Sequence, residues 1–231
     1  MSISSHIKKE PRALPVFILL DTSGSMRGEK IETVNVALKE MINTFKKIEN
    51  PKGIIEMCLI TFGGDDVRII KELSKVEDKD VYTLDAGGKT PMGKVFEKVS
   101  ELIEDTSVVS DRAYTPTIVL ISDGVPTDYD CSNKTIEDML EWEALKKIHN
   151  GKRASIATKL AMRIGEDANV DVLKAFINNK DIPVILAKDN STVVKFFQWL
   201  TMAVSVRSVS SNPNQATYDD ISAFDDIEIE F

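Results

Sequence analysis

At 231 residues the chain is long enough for one large domain, or one domain with extensions, and 42% hydrophobic with 6% aromatic residues suits a sizeable core. A formal net charge of −8 argues against a general nucleic-acid binder, which would carry a basic stripe. No apolar run reaches bilayer length and the opening Met1-Ser-Ile-Ser-Ser lacks a secretory apolar stretch, so a cytoplasmic protein with no membrane partner is expected.

Short apolar runs alternate with helical patterns. Residues 16–20 read as a buried strand. Ile31, Val34, Leu38, Met41, Ile42, Phe45 and Ile48 recur with a helical period, and Pro51-Lys-Gly53 ends that helix. Residues 54–62 form the next strand, Gly63-Gly64 turns the chain, and 67–73 predict a short antiparallel strand. Gly63-Gly-Asp-Asp66 suits a hairpin turn better than a cation loop. Met92, Val95, Phe96, Val99, Leu102 and Ile103 mark a second helix. Residues 117–122 are apolar on both faces, as in the interior of a parallel sheet covered by helices.

Ile136, Met139, Leu140, Leu145 and Ile148 follow at helical spacing. Residues 155–164 read as a strand, with alanines that leave a helix open. A short helix over 170–177, a strand over 183–187 and a helix over 193–204 complete the pattern. The alternation predicts an α/β fold: a doubly wound, mostly parallel sheet with one antiparallel edge strand and helices on both faces. Its ligand site lies at the carboxyl ends of the strands.

Asp21-Thr-Ser-Gly-Ser25 stands directly behind the first strand. A carboxylate and two hydroxyls arrive at alternate positions, with Gly24 permitting the tight turn. Asp21, Ser23 and Ser25 are hard oxygen donors suited to Mg²⁺. Alone they read equally well as a capped turn. Two further segments add weight: Gly87-Gly-Lys-Thr90-Pro-Met-Gly93 supplies a hydroxyl on a glycine loop, and Asp123 is a carboxylate at another strand tip. Carboxylates that converge at one rim repel each other, and a divalent cation resolves that repulsion.

Asp21, Ser23, Ser25, Thr90 and Asp123 together resemble the metal-ion-dependent adhesion site of the von Willebrand factor A domain, over roughly residues 12–205. The texture is similar to that of the small bacterial TerY type, associated with tellurite and stress resistance, through Leu-Pro-Val-Phe-Ile-Leu-Leu-Asp-Thr-Ser-Gly-Ser-Met and Ile-Ser-Asp-Gly-Val-Pro-Thr-Asp. Lys89 is a departure, because many members run Gly-Gly-Thr there. It leaves the loop one residue looser or puts a cation near the metal.

The resemblance implies a Rossmann-like fold and a bound Mg²⁺ (or Mn²⁺ or Ca²⁺). Ser23, Ser25 and Thr90 would touch the ion, and Asp21 and Asp123 would act directly or through water. It also implies a position open to a carboxylate from a protein partner, with phosphatase-like or kinase-like proteins among the candidates. Lys89, Asp128 and Asp130 are candidate rim residues for that partner; a solvated loop is the plainer reading of the two acids.

No general base or activated nucleophile stands in this set, so the site reads as a binding module rather than an enzyme. The alternative is a Mg²⁺-dependent phosphatase-like enzyme using the Asp21 loop, in which Ser23 replaces the expected second Asp. A phosphotransfer receiver would need an acidic pair where Leu14 and Pro15 stand.

Cys58 in an apolar strand and Cys131 in a polar stretch read as free thiols. His6 and His149 offer no catalytic pattern, and Trp142 falls off the apolar stripe of its helix as a half-buried residue. The organisation expected is an N-terminal extension over 1–11, a main domain over 12–206 and an acidic tail over 207–231. That tail carries Asp219, Asp220, Asp225, Asp226, Glu228 and Glu230 against Arg207, with 208–214 as linker. Phe224, Ile227, Ile229 and Phe231 alternate with acids, which predicts an added edge strand in preference to a tail that competes for the metal.

Overall fold

Strict alternation along the first strand decides the layers. The computed structural model describes residues 11–48, 53–165, 169–214 and 228–230. In β1 (Arg12–Asp21), Leu14, Val16, Ile18 and Leu20 pack on one side of the sheet, and Phe17 and Leu19 on the other. A strand buried on both faces needs a layer on each, and helices supply them.

The sheet has seven strands in the order β3-β2-β1-β4-β5-β6-β7. These are β2 (Gly53–Gly63), β3 (Asp66–Lys75), β4 (Thr117–Ser122), β5 (Thr158–Ile164), β6 (Val184–Ala187) and β7 (Glu228–Glu230). Strands β2, β1, β4, β5 and β6 are mutually parallel, and β3 is the expected antiparallel edge strand. It turns out of β2 through Gly64, whose φ of 68° suits a tight hairpin.

One face carries α1 (Glu29–Lys47) and α6 (Asn190–Val209), with Leu38, Met41, Phe196 and Leu200 in the shared core. The other carries α2 (Met92–Glu104), α3 (Ile136–Leu140), α4 (Glu143–Asn150) and α5 (Val170–Ile177), with Phe96 stacked on Phe176.

Three details depart from the sequence reading. The periodic stretch 136–148 is two helices, because Trp142 is extended (φ −64°, ψ 124°) and breaks it. The half-buried Trp142 ring stacks on Tyr129 at 4.3 Å and meets Phe96 edge-on at 5.6 Å, contacts that offset part of the cost of the lost helical turn. Cys131 is buried despite its polar neighbours and accepts a hydrogen bond from Asn169 at 3.4 Å; both thiols are free. Burial pushes the Cys58 thiol up to about 12.

The third detail is the tail. Helix α6 continues to Val209, inside the stretch read as a linker. Arg207 is buried there and donates to Thr117 Oγ1 at 2.6 Å, Thr115 O at 3.0 Å and Pro213 O at 2.9 Å. Arg207→Met is expected to lower unfolding free energy by about 2–4 kcal/mol, since it leaves buried acceptors unsatisfied. Urea titration checks this, and a midpoint within error of wild type would contradict it. Beyond it, β7 adds to β6 antiparallel, with Ile229 opposite Ile185 and Glu230 paired to Lys174 at 2.9 Å. So the expected edge strand is present at 228–230. Phe224, Ile227 and Phe231 lie outside the described residues, as do residues 1–10 of the expected extension.

Among the described residues no helix is long and apolar enough to cross a membrane.

Candidate metal centre

The chain leaves β1 toward β2 on one side, and β4 leads to β5 on the other. The crevice between the carboxyl ends of β1 and β4 is therefore the topological switch point of the sheet. Leu20 is in register with Ile121, which sets Asp21 beside Ser122 and brings Asp123 to the same rim.

Asp21 is fully buried. Its Oδ1 accepts the Ser23 amide at 2.7 Å and its Oδ2 accepts the Ser122 hydroxyl at 2.5 Å. Burial raises this carboxyl from 3.8 to about 6, with the Asp123 charge adding to the rise and the Ser122 and Ser23 donors opposing it. The Ser23 and Ser25 hydroxyls are 3.0 Å apart, and Ser25 donates to Asp123 Oδ1 at 2.7 Å. Gly124 lies beside both Thr90 and Asp21: a Cβ there would lie 3.3 Å from Thr90 Oγ1 and 3.6 Å from Asp21 Oδ2. All five sequence-derived residues thus meet in one place.

Thr90 arrives on a long segment, residues 76–91, with no helix or strand of its own. Buried Lys71 holds it through Asp80 at 3.3 Å, and Asn35 brackets Leu84 with bonds of 2.9 and 2.8 Å. Nearer the site the backbone is laced together: Gly24 N to Gly88 O at 2.9 Å, Gly87 N to Thr22 O at 2.8 Å, Gly64 N to Gly87 O at 2.8 Å and Lys89 N to Gly64 O at 3.1 Å. Gly88 has φ +76°, and its position would put a Cβ 2.4 Å from Gly64 Cα, so a side chain has no room.

The three candidate rim residues each have a local partner. Lys89 is exposed and points to Asp65 on the β2–β3 turn, 3.4 Å away. Asp128 accepts from the amides of Gly93 and Lys94, both at 3.1 Å, and so caps the start of α2. Asp130 accepts the Ser132 amide at 2.9 Å, which holds its carboxyl below the ordinary value. Both acids thus accept local backbone donors.

Three residues near the site went unnoticed in the sequence. Ser122 holds Asp21, as above. Arg27 lies over the glycine loop and donates to Ala86 O at 3.1 Å. Lys30 donates to Asp123 Oδ2 at 2.5 Å. One sequence signal for Lys30 exists: it is a cation in the first turn of a helix, where the macrodipole disfavours positive charge.

Among the described residues no three His, Cys, Asp or Glu side chains cluster as a metal site. The set here is instead two carboxylates and three hydroxyls, all hard oxygens, which fits a small divalent ion. The Lys30 ammonium on Asp123 marks the place as one that draws positive charge. Ser23, Ser25, Thr90, Asp21 and Asp123 are the residues that would hold the ion, and a bound ion would supply a positive centre that attracts an anionic ligand.

Residues 16–125 match the family model of the von Willebrand factor type A domain. No curated protein sequence matches the chain. Among solved structures, a von Willebrand factor type A protein from Catenulispora acidiphila aligns at TM-score 0.64 and 20% identity, covering 84% of this chain and 43% of its own. The ArnB paralog VWA2 from Sulfolobus acidocaldarius aligns at TM-score 0.58 and 18% identity, covering 87% and 46%. Proximal thread matrix protein 1 of the mussel byssus, with a zinc-occupied MIDAS motif, aligns at 0.60 and 16%, covering 84% and 48%. The chain thus spans less than half the length of these structures, and identities this low speak for the fold alone. Sheet order and helices on both faces agree with the family match, and residues 16–125 of the chain resemble a von Willebrand factor type A domain.

Proposed function

We propose that this domain is a metal-ion-dependent protein-interaction module that holds an acidic residue of a partner through a divalent cation. The observation that carries the reading is the meeting of Asp21, Ser23, Ser25, Thr90 and Asp123 at the switch point of the sheet. Zinc in the corresponding motif of the mussel protein supports a divalent ion here, with Mg²⁺ or Mn²⁺ preferred for an all-oxygen set. Arg27 and Lys30 beside the site favour an anionic partner. Both Asp21 oxygens are engaged and buried, which suits a ligand scaffold better than an attacking nucleophile. The finer reading rests on sequence texture alone: a cytoplasmic scaffold in tellurite or stress resistance, with phosphatase-like or kinase-like partners.

The test is thermal melting with and without Mg²⁺. A ligand that binds only the native state stabilises it by about 2.7 kcal/mol at a hundredfold excess over its dissociation constant. For a domain of this size that is a rise of several degrees. Wild type should show the rise and Asp123→Ala should not. Equal rises in both would move the ion elsewhere. Hydrolysis of an aryl phosphate that disappears in Asp21→Ala would instead promote the phosphatase-like reading.

A further inference from the structure

Lys30 is placed at a cost. It is the second residue of α1, whose N-terminus carries partial positive charge, and its start at Gly28 has no side-chain cap. Its stem runs over the carboxyl ends of β4 and β5. A Cβ on Gly165, at the end of β5, would lie 3.4 Å from Nζ and 3.6 Å from Cε. The ammonium reaches the fully buried Asp123 side chain while about a third of the lysine stays in solvent, at 32%.

Asp123 divides its two oxygens. Oδ1 faces the hydroxyl cluster through Ser25, and Oδ2 takes Lys30. The carboxylate that would face a metal ion therefore already shares its charge with a fixed cation. Ionised Asp21 and Asp123 together would cancel a divalent ion, leaving a neutral centre with little pull on an external carboxylate. Lys30 adds one positive charge to that balance.

We propose that Lys30 sets the charge of this centre, weakening its hold on the divalent ion and strengthening the loaded centre's attraction for an anionic ligand. This rests on the metal-dependent reading above. It makes Lys30 a specificity-determining residue, since a loaded centre of net positive charge selects carboxylates over neutral hydrogen-bonding groups. A purely structural lysine would act on both ligands in the same direction, through loss of order at Asp123. A charge-setting lysine acts on them in opposite directions.

The experiment uses the full chain as wild type, Lys30→Met and Lys30→Arg. Free Mn²⁺ is followed by electron paramagnetic resonance, and binding of a tetraglutamate peptide is measured at saturating Mn²⁺. Lys30→Met should bind Mn²⁺ about tenfold more tightly, the size expected for removing one charge beside a divalent ion in a solvated site. It should bind the peptide several-fold more weakly. Lys30→Arg keeps the charge and should stay near wild type in both, which separates charge from folding. Equal or weaker Mn²⁺ binding by Lys30→Met would overturn the proposal and leave the metal site standing. Equal or tighter peptide binding by that variant would also overturn it. No Mn²⁺ binding by any of the three would overturn both readings.

Discussion

Asp21→Asn should make the ion-free protein more stable at pH 8 while removing most of its affinity for a divalent ion. The carboxyl is raised from 3.8 to about 6, chiefly by burial, so its ionised form is the disfavoured one. For a group raised in the folded state, stability is complete below the unfolded value and is lost as pH rises through the folded value. The loss for Asp21 falls between about pH 4 and 6 and amounts to about 2–3 kcal/mol above that window.

Asparagine avoids this penalty and keeps the contacts. Its oxygen can accept the Ser23 amide, and its NH₂ can donate to Ser122, whose hydroxyl rotates to accept. Urea unfolding at pH 8 and pH 4 should show a gain at the first and none at the second. Equal destabilisation at both would mean the charge is not what burial opposes. The same raised carboxyl makes protons compete with the ion, so wild-type Mn²⁺ affinity should fall by about tenfold per pH unit below 6.

Gly88→Ala should destabilise the fold by about 2–4 kcal/mol and abolish the Mg²⁺-induced rise in melting temperature. A Cβ there would stand 2.4 Å from Gly64 Cα and 3.0 Å from Gly64 N, both backbone atoms that cannot swing aside. The laced backbone at Gly24, Gly64 and Gly87 would have to open, and Thr90 rides on that backbone two residues later. Gly28→Ala is the control. It has a similar φ of +78° but nothing within 4 Å of its would-be Cβ, so it carries backbone strain alone, about 1–3 kcal/mol, with no steric contact added. Matching losses in the two variants would show that φ alone, and not the contact with Gly64, sets the cost.

The five oxygen donors were legible because each sits beside a local signal: a strand end before Asp21 and before Asp123, and a glycine loop before Thr90. Strand β7 was legible from the alternation around Ile229. The break at Trp142 was not, because the period of Met139, Leu140, Leu145 and Ile148 runs straight through it. Only the stacking of Trp142 on Tyr129 and its edge contact with Phe96 explain the turn given up. The hydrogen bonds of Asp128 and Asp130 were not legible either, because their partners, the amides of Gly93, Lys94 and Ser132, are invisible as side-chain chemistry.

By itself the amino-acid order determined the layers, the parallel sheet and the strand-end placement of the donors. Periods of two and of 3.6 residues state which side chains must leave water, and that burial dominates the energy. The charge environment of the donors was decided only by the tertiary structure. Lys30 and Asp123 are 93 residues apart, and Ser122 and Asp21 are 101 apart. No local pattern encodes such pairs, because strand register and the path of α1 across the sheet bring them together. Coulombic and hydrogen-bond energies depend on that distance in space, while sequence periodicity reports only which way a side chain faces.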